Sequence, residues 1–370
     1  MNIGFIGFGA MGKVHAASVG AIKYFYDAPN INPVLYGVCA SCRESAERYA
    51  ERYCILNVYD DYKKLIDDPS VDVVDICTPN VFHFEELKYA LERGKNVYCE
   101  KPLCASADEA KEIAGIASKT GTVCAVVFNT RFLLPVIRAK ELISSGALGR
   151  IVSYDFSFLH SSAVDVSKTG WKQDRRICGG GVLYDLGSHA VDLAEYLCGR
   201  IKSVSGKSQI AYPRRRSYDG EENWETNADE AFYLRCDVEC GAVGTVRVGK
   251  IFSGTNDNFT FEIYGTDGSL KFDLMEPNWL RYYNGGGDPV TRGETRIECV
   301  GRYPEPASGF PGIKAPVGWL RGHIGSMFNF LDGVAKGSPV SPSFEDGARC
   351  LEVLDAAYLS DARRGECVDV

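Results

Sequence analysis

Asn2-Ile3-Gly4-Phe5-Ile6-Gly7-Phe8-Gly9-Ala10-Met11-Gly12 reads as a short apolar strand running into G-x-G-x-x-G and then into a helix that starts near Met11. Glycine permits the tight turn, the approach of backbone to a pyrophosphate and close packing of helix on strand. The helix N-terminus adds N–H donors and a positive dipole. In a chain with 39 glycines the six-residue pattern alone says little. Its position between a strand and a helix is what carries weight. Gly7, Phe8, Gly9, Ala10, Met11 and Gly12 are therefore candidates to hold the phosphates of a dinucleotide.

Outward from this stretch, strands and helices alternate. Strands are expected at Val34–Ala40, Leu56–Val58, Val71–Cys77, Asn96–Cys99 and Val123–Phe128. Helices are expected at Glu44–Arg52, Tyr59–Ile66, Phe82–Arg93 and Ser106–Lys119. The largely apolar Val71–Cys77 run suits a strand covered on both faces. Six strands alternating with helices predict a doubly wound parallel sheet, an α/β Rossmann domain over residues 1–129. Ligands of such sheets lie beyond the carboxyl ends of the strands. That rim carries the glycine loop, Ala40–Arg43, Thr78-Pro79-Asn80, Glu100-Lys101-Pro102 and Asn129.

After a helix at Pro135–Ser145 the pattern changes. Strands are expected at Arg150–Leu159, Ser203–Tyr212, Ala231–Asp237, Gly244–Lys250, Asn258–Tyr264 and Gly268–Phe272, with a hairpin turn at Gly265-Thr266-Asp267-Gly268. Residues 130–370 thus read as an α+β domain, a mostly antiparallel sheet with one face covered by helices. Asn284–Val317, rich in Gly and Pro, reads as a long irregular loop, and helices at Gly318–Ala335 and Ser343–Ala362 close the chain.

A length of 370 residues suits two domains. The net charge of -8 argues against a nucleic-acid partner, and Arg214-Arg215-Arg216 reads as a solvated loop. No apolar run reaches the roughly 18 residues of a membrane span, and no secretory signal precedes the first strand. The 14 cysteines are scattered at apolar positions without zinc spacing, so no metal site is expected and reduced thiols in a cytoplasm fit best.

The segment Gly179-Gly180-Gly181 leads into a helical pattern in which Leu186, Ala190, Leu193 and Leu197 form an apolar stripe. Asp185, His189, Asp192 and Tyr196 form a second stripe about a quarter turn away, at ~100° per residue. A carboxylate and an imidazole four apart face the same way, and the Asp can orient the His as a general base. Lys101, at a strand end on the dinucleotide rim, suits a hydrogen bond to a substrate hydroxyl as alkoxide character develops.

These stretches together resemble the Gfo/Idh/MocA oxidoreductases. The resemblance is carried by Gly7–Gly12, Thr78-Pro79-Asn80-x-x-His83, Glu100-Lys101-Pro102, Trp171-Lys172 and Gly181–His189, in that order along the whole chain. It implies a Rossmann domain followed, over residues 130–370, by an α/β domain for substrate binding whose large, mostly antiparallel open sheet forms oligomer contacts, in a dimer or tetramer. It implies Lys101, Asp185 and His189 as catalytic residues, with Thr78, Pro79, Asn80, His83, Glu100, Lys101 and Asn129 on the cofactor. Tyr24–Pro33, Ile66-Asp67-Asp68-Pro69 and Ser341-Pro342-Ser343-Phe344 resemble the levoglucosan and glycoside 3-dehydrogenase subgroup, which implies oxidation at carbon 3 of a glucose-like ring.

The expected activity is a cytoplasmic NAD- or NADP-dependent dehydrogenation of a secondary hydroxyl of a sugar or glycoside. Lys101, Asp185 and His189 contact the substrate, with Arg131 and Trp171 as candidates for its wall. Many NAD-using relatives carry an acidic residue after the second strand, whereas this chain has Ala40-Ser41-Cys42-Arg43. Ser41 and Arg43 suit a 2′-phosphate, which tilts the expectation to NADP. The cofactor can also remain bound and be recycled. Inositol or carbon-1 sugar oxidation is the alternative within the family, and a non-catalytic sugar or dinucleotide sensor the alternative outside it.

Overall fold

The computed structural model describes residues 1–370 apart from positions 168, 218, 311, 313, 314 and 317. The chain forms two compact units. One comprises Met1–Phe132, Tyr303–Ala315 and Leu320–Arg349, and the other Leu133–Arg302, Pro316–Trp319 and Cys350–Val370.

In the first unit, β1 (Asn2–Ile6), α1 (Ala10–Phe25), β2 (Val34–Cys39), α2 (Arg43–Tyr53), β3 (Asn57–Tyr59) and α3 (Tyr62–Asp67) alternate as expected. They are followed by β4 (Val73–Ile76), α4 (Asn80–Glu92), β5 (Asn96–Cys99), α5 (Ala107–Thr120) and β6 (Cys124–Val126). The sheet has the order β3-β2-β1-β4-β5-β6, and its pairings are parallel. The order reverses between β2-β1 and β4, which is where ligands of doubly wound sheets bind. β4 is buried along its length, Asp75 included, as a central strand covered on both faces requires. Local chemistry sets the helix ends: Asp61 caps α3 by accepting from the Lys63 N–H, and α5 runs from Ser106, which caps Glu109, to Gly121 in the left-handed conformation.

The second unit is built on α6 (Leu134–Ser144), β7 (Ile151–Leu159), α7 (Arg175–Cys178), α8 (Ser188–Cys198), β8 (Ile201–Gln209), β9 (Arg214–Arg215) and β10 (Trp224–Glu225). It continues through β11 (Ala231–Val238), β12 (Val243–Gly249), β13 (Asn258–Gly265), β14 (Gly268–Asp273), β15 (Trp279–Asn284) and β16 (Glu294–Glu298). After α9 (Trp319–Lys336) and α10 (Phe344–Ala362), β17 (Val368–Asp369) ends the chain. The sheet order is β16-β15-β14-β13-β7-β12-β11-β8-β17, antiparallel except for β7 with β12. Alternation turns Tyr233, Arg235, Thr245 and Arg247 out and their neighbours in.

Several expectations change. The C-terminal segments do not all belong to the second unit: Ile324, Met327, Phe328, Phe330 and Leu331 of α9 share one core with Ile3, Phe5 and Val38. Burial of an apolar helix face overrides order along the chain. The 284–317 loop contains strand β16, an exposed edge partner of β15. Edge strands solvated on both faces leave no alternation to read. Positions 311, 313, 314 and 317 of that loop lie outside the described residues. Arg215 is buried against Glu230 rather than solvated, because an aspartate or glutamate arriving from a distant strand cannot be read locally. All 14 cysteines are free thiols. Among the described residues no helix is long and apolar enough to cross a membrane.

Candidate active site

β1 ends at the glycine loop. Gly7 has φ +80°, and a Cβ there would meet the Cys77 carbonyl oxygen at 2.8 Å, so the turn needs glycine. A Cβ on Gly9, by contrast, would point into open space. Gly9 is also the N-cap of α1 and provides no side-chain cap for the first-turn N–H groups. Phe8 turns inward instead, packing on Phe5, Tyr49 and Tyr53, and leaves only its backbone to the loop. Ala10 is exposed and Met11 half-buried, while a Cβ on Gly12 would lie 3.1 Å from the Gly7 carbonyl oxygen.

The rest of the rim follows the strand ends. Ser41 is exposed, and the Arg43 guanidinium is 2.8 Å from Glu47 on the next turn of α2. Thr78 donates its hydroxyl to Glu86 at 2.6 Å, Pro79 is the N-cap of α4, and Asn80 is buried. Asn129 is buried too, and its side-chain nitrogen has no hydrogen-bond partner among the described residues. Lys101 is half-buried, its backbone N–H donates to Glu100 at 3.1 Å, and the Lys101–Pro102 peptide is cis.

Two residues expected on ligands are placed otherwise. His83 is wholly buried, with Nε2 2.9 Å from the Thr78 carbonyl and Nδ1 3.1 Å from that of Pro102. It ties two rim turns together instead of reaching the cofactor face, and burial lowers its pKa. Arg131 is buried, directed at Ser341 (2.9 Å) and Asp346 (3.3 Å), so its guanidinium joins parts of the first unit. Sequence shows that an arginine is near the rim but not which carboxylate meets it.

In the second unit, a cleft of about 780 Å³ is lined by His160, Thr169, Trp171, Lys172, Asp185 and Lys250 together with further polar groups. Asp185 sits on a π-helical turn, Leu183–Gly187, that precedes α8. Both of its oxygens meet ammonium groups: Lys172 Nζ lies 2.7 Å from Oδ1 and Lys250 Nζ 2.7 Å from Oδ2. The wider turn alters the phase of an ideal helix, so the spacing of Asp185 and His189 no longer implies one face. His189, half-buried at the start of α8, has its ring 6.1 Å from that of Phe158 and is not among the residues lining the cleft. Behind the turn Asp229 accepts from the Leu183 N–H at 3.0 Å and from the Tyr358 hydroxyl at 2.5 Å, against Gly181.

Family models match both halves: "Oxidoreductase family, NAD-binding Rossmann fold" over residues 1–128 and "GFO/IDH/MocA C-terminal domain" over 136–271. Levoglucosan dehydrogenase of Pseudarthrobacter phenanthrenivorans is 31% identical, covering 100% of this chain and 98% of its own. The chain belongs to the Gfo/Idh/MocA oxidoreductase family. Among other relatives, D-glucoside 3-dehydrogenase of Escherichia coli is 34% identical over 56% of this chain and 57% of its own. The solved structure of levoglucosan dehydrogenase in complex with NADH and levoglucosan superposes with a TM-score of 0.96 at 31% identity, covering 100% and 99% of the two chains.

As a Gfo/Idh/MocA member the chain is a nicotinamide-dependent oxidoreductase. Its residues fit the dinucleotide: Gly9 leaves open space, and the uncapped α1 N-terminus and the Asn129 side-chain nitrogen, without a partner among the described residues, are donors for its acceptors. Lys250 is the residue that sequence reading missed in this Gfo/Idh/MocA chain. It follows β12 on the inward phase of Gly244, Val246 and Val248, and a lysine on a buried phase signals a partner inside.

Proposed function

We propose that this enzyme oxidises a secondary hydroxyl of a glucose-like sugar or glycoside, at carbon 3, with NAD as the hydride acceptor. The observation that carries the reading is Asp185, held between two ammonium groups at the wall of a polar cleft beside Trp171. Hydroxyl groups fit a wall of alternating donors and acceptors, and a sugar ring face stacks on an indole. The names of the levoglucosan and glucoside 3-dehydrogenase relatives support the substrate class.

The nicotinamide ring, when bound, takes the hydride. The glycine loop and the start of α1 bind the phosphates, and Asn80 and Asn129 offer amide groups to the rest of the cofactor. Lys101 donates a hydrogen bond to the reacting oxygen and stabilises its developing charge. His189 accepts the hydroxyl proton. Asp185 binds a neighbouring hydroxyl, and Lys172 and Lys250 hold its two oxygens in place.

NAD is preferred to NADP because Arg43, the cation at the start of α2, is engaged by Glu47, whose carboxylate repels a 2′-phosphate. NADH in complexes of the levoglucosan enzyme agrees with this choice. A homo-oligomer assembling through the outward face of the second sheet, around Tyr233, Arg235 and Arg247, belongs to the same reading, and light scattering of the purified protein tests it.

The deciding experiment incubates the enzyme with methyl glucoside, glucose or myo-inositol and each dinucleotide, with NMR of the products. A 3-keto glycoside formed with NAD is expected. Gluconolactone or an inosose without activity on any glycoside removes the carbon-3 reading, and bound dinucleotide never reduced by any of them favours a sensor.

A further inference from the structure

The basic run Arg214-Arg215-Arg216 takes no part in the reaction described above, and its residues sit in different surroundings. Arg215 is buried: its Nε donates to Glu230 at 2.7 Å and its Nη2 donates to the Ala163 carbonyl. Ser217 is buried too, its hydroxyl donating to Asp219 and accepting the Glu221 N–H at 2.7 Å. Arg216, between these two anchors, is exposed. Side chains alternate along extended chain, so fixing both neighbours inward turns Arg216 outward. That side is the wall of the cleft that Asp185 lines. The Arg216 N–H also donates to the Val166 carbonyl at 3.2 Å. With the bond from Arg215 to Ala163, the run is tied twice to the segment that continues into Trp171 and Lys172 of the same wall.

The charged groups of that wall do not balance. Among the described residues it carries three cations, Lys172, Arg216 and Lys250, and two carboxylates, Asp185 and Asp219. Lys172 and Lys250 are both committed to Asp185, at 2.7 Å each. Asp219 accepts the Ser217 hydroxyl, and the cation that acts on it is Arg176. His160 adds no surplus, because its Nε2 is 2.7 Å from Asp257, whose carboxylate offsets any charge on the ring. Among the described residues the Arg216 guanidinium has no ion-pair partner. A chain of net charge -8 thus presents a cationic surplus where the sugar is placed, which draws anions toward the cleft.

A guanidinium holds its donors in a planar fork that matches two oxygens of a carboxylate or phosphate. Ordering a free arginine side chain costs rotamer entropy. One neutral hydroxyl offsets that cost poorly, and a bidentate contact to an anion offsets it well.

We infer that the cleft takes a sugar bearing an anionic substituent, a carboxylate or a phosphate ester, whose oxygens pair with Arg216. The oxidation of that sugar rests on the dehydrogenase reading; the anion site at Arg216 does not.

The test compares kcat/KM of the full-length enzyme with NAD for methyl glucoside and three anionic analogues: methyl glucuronide, glucose 6-phosphate and glucose 1-phosphate. At least one anionic sugar is expected to exceed methyl glucoside by about tenfold or more, and added salt to shrink that advantage. A preference for the glucuronide identifies a carboxylate, and a preference for either phosphate a phosphate ester. Arg216→Gln should lower the ratio of anionic to neutral kcat/KM by about tenfold, and Arg216→Lys, which keeps the charge without the fork, should retain part of it. No anionic sugar above methyl glucoside, or a ratio unchanged in Arg216→Gln, overturns the inference and leaves the dehydrogenase reading standing. If the enzyme turns over no sugar, that reading falls, and calorimetric titration of the same four compounds decides the anion site. Binding of an anionic sugar that weakens about tenfold in Arg216→Gln supports it. Equal binding by parent and variant, or none, overturns it.

Discussion

Lys250 and Asp185 are joined by a 2.7 Å ion pair in which both side chains are nearly withdrawn from water, 9% and 13% exposed. Lys172 holds the other oxygen of the same carboxylate but is 43% exposed. Two chemically identical bonds therefore carry different weight. Exposed pairs contribute about 0–1 kcal/mol, whereas hydrogen bonds to charged groups are worth about 1.5–3 kcal/mol when removed from solvent. Lys250→Met is expected to lower unfolding free energy more than Lys172→Met and to reduce kcat/KM by at least tenfold. Denaturant titration and steady-state kinetics of the two variants check the order, and a reversed order would count against it.

Lys101→Ala and His189→Ala are expected to fold, to bind NADH and to lose turnover. General acid–base groups contribute about 10²–10⁴-fold, which sets the size of the effect. Circular dichroism and NADH fluorescence control for fold and binding. Turnover near that of the parent in both variants would sink the assigned roles.

Arg43 and Glu47 decide between the two dinucleotides. Arg43→Ala should change the KM for NAD less than threefold and weaken NADP further. Glu47→Gln frees the guanidinium and should improve NADP, since a charge-assisted hydrogen bond of about 1.5–3 kcal/mol is on offer. KM values for both dinucleotides in both variants provide the check, and an equal response of NAD and NADP would show that this pair does not read the 2′ position.

Glu86 gives a pH-dependent prediction. Burial pushes its carboxyl from the ordinary 4.5 up to about 8, against the lowering effect of the Thr78 hydrogen bond. A folded value above the unfolded one means that the folded state holds the proton more tightly. The corresponding stability is complete below about pH 4.5 and is lost as pH rises through about 8. Glu86→Gln, which stays neutral, should therefore gain melting temperature relative to the parent between pH 5 and pH 9. A difference that does not change with pH would mean that Glu86 is already ionised at pH 5.

The first unit was legible because its signals are local. A strand–glycine–helix junction, a buried apolar β4 and capping residues such as Asp61 and Ser106 each act within a few residues, and the backbone conformation they demand is the one observed. The pairing of Asp185 with His189 was a local reading of another kind, and it assumed an ideal helix. A π turn cannot be recognised from a pattern of apolar positions, and the groups that meet this one, Asp229 at the Leu183 N–H and Lys250 at Asp185, come from distant parts of the chain.

By itself, then, the sequence determined the two architectures and the glycine loop at the rim of an NAD-binding Rossmann sheet. Period, turn chemistry and glycine freedom are properties of short stretches. The tertiary structure decided which charges meet: Lys250 with Asp185, His15 with Asp75 and Glu100, Arg131 with Asp346. It also decided that His83 and Arg131 serve the scaffold. Such pairs join residues far apart in the chain, and the free energy of a charge depends on the dielectric and the partners around it, which exist only after the sheets have closed over them.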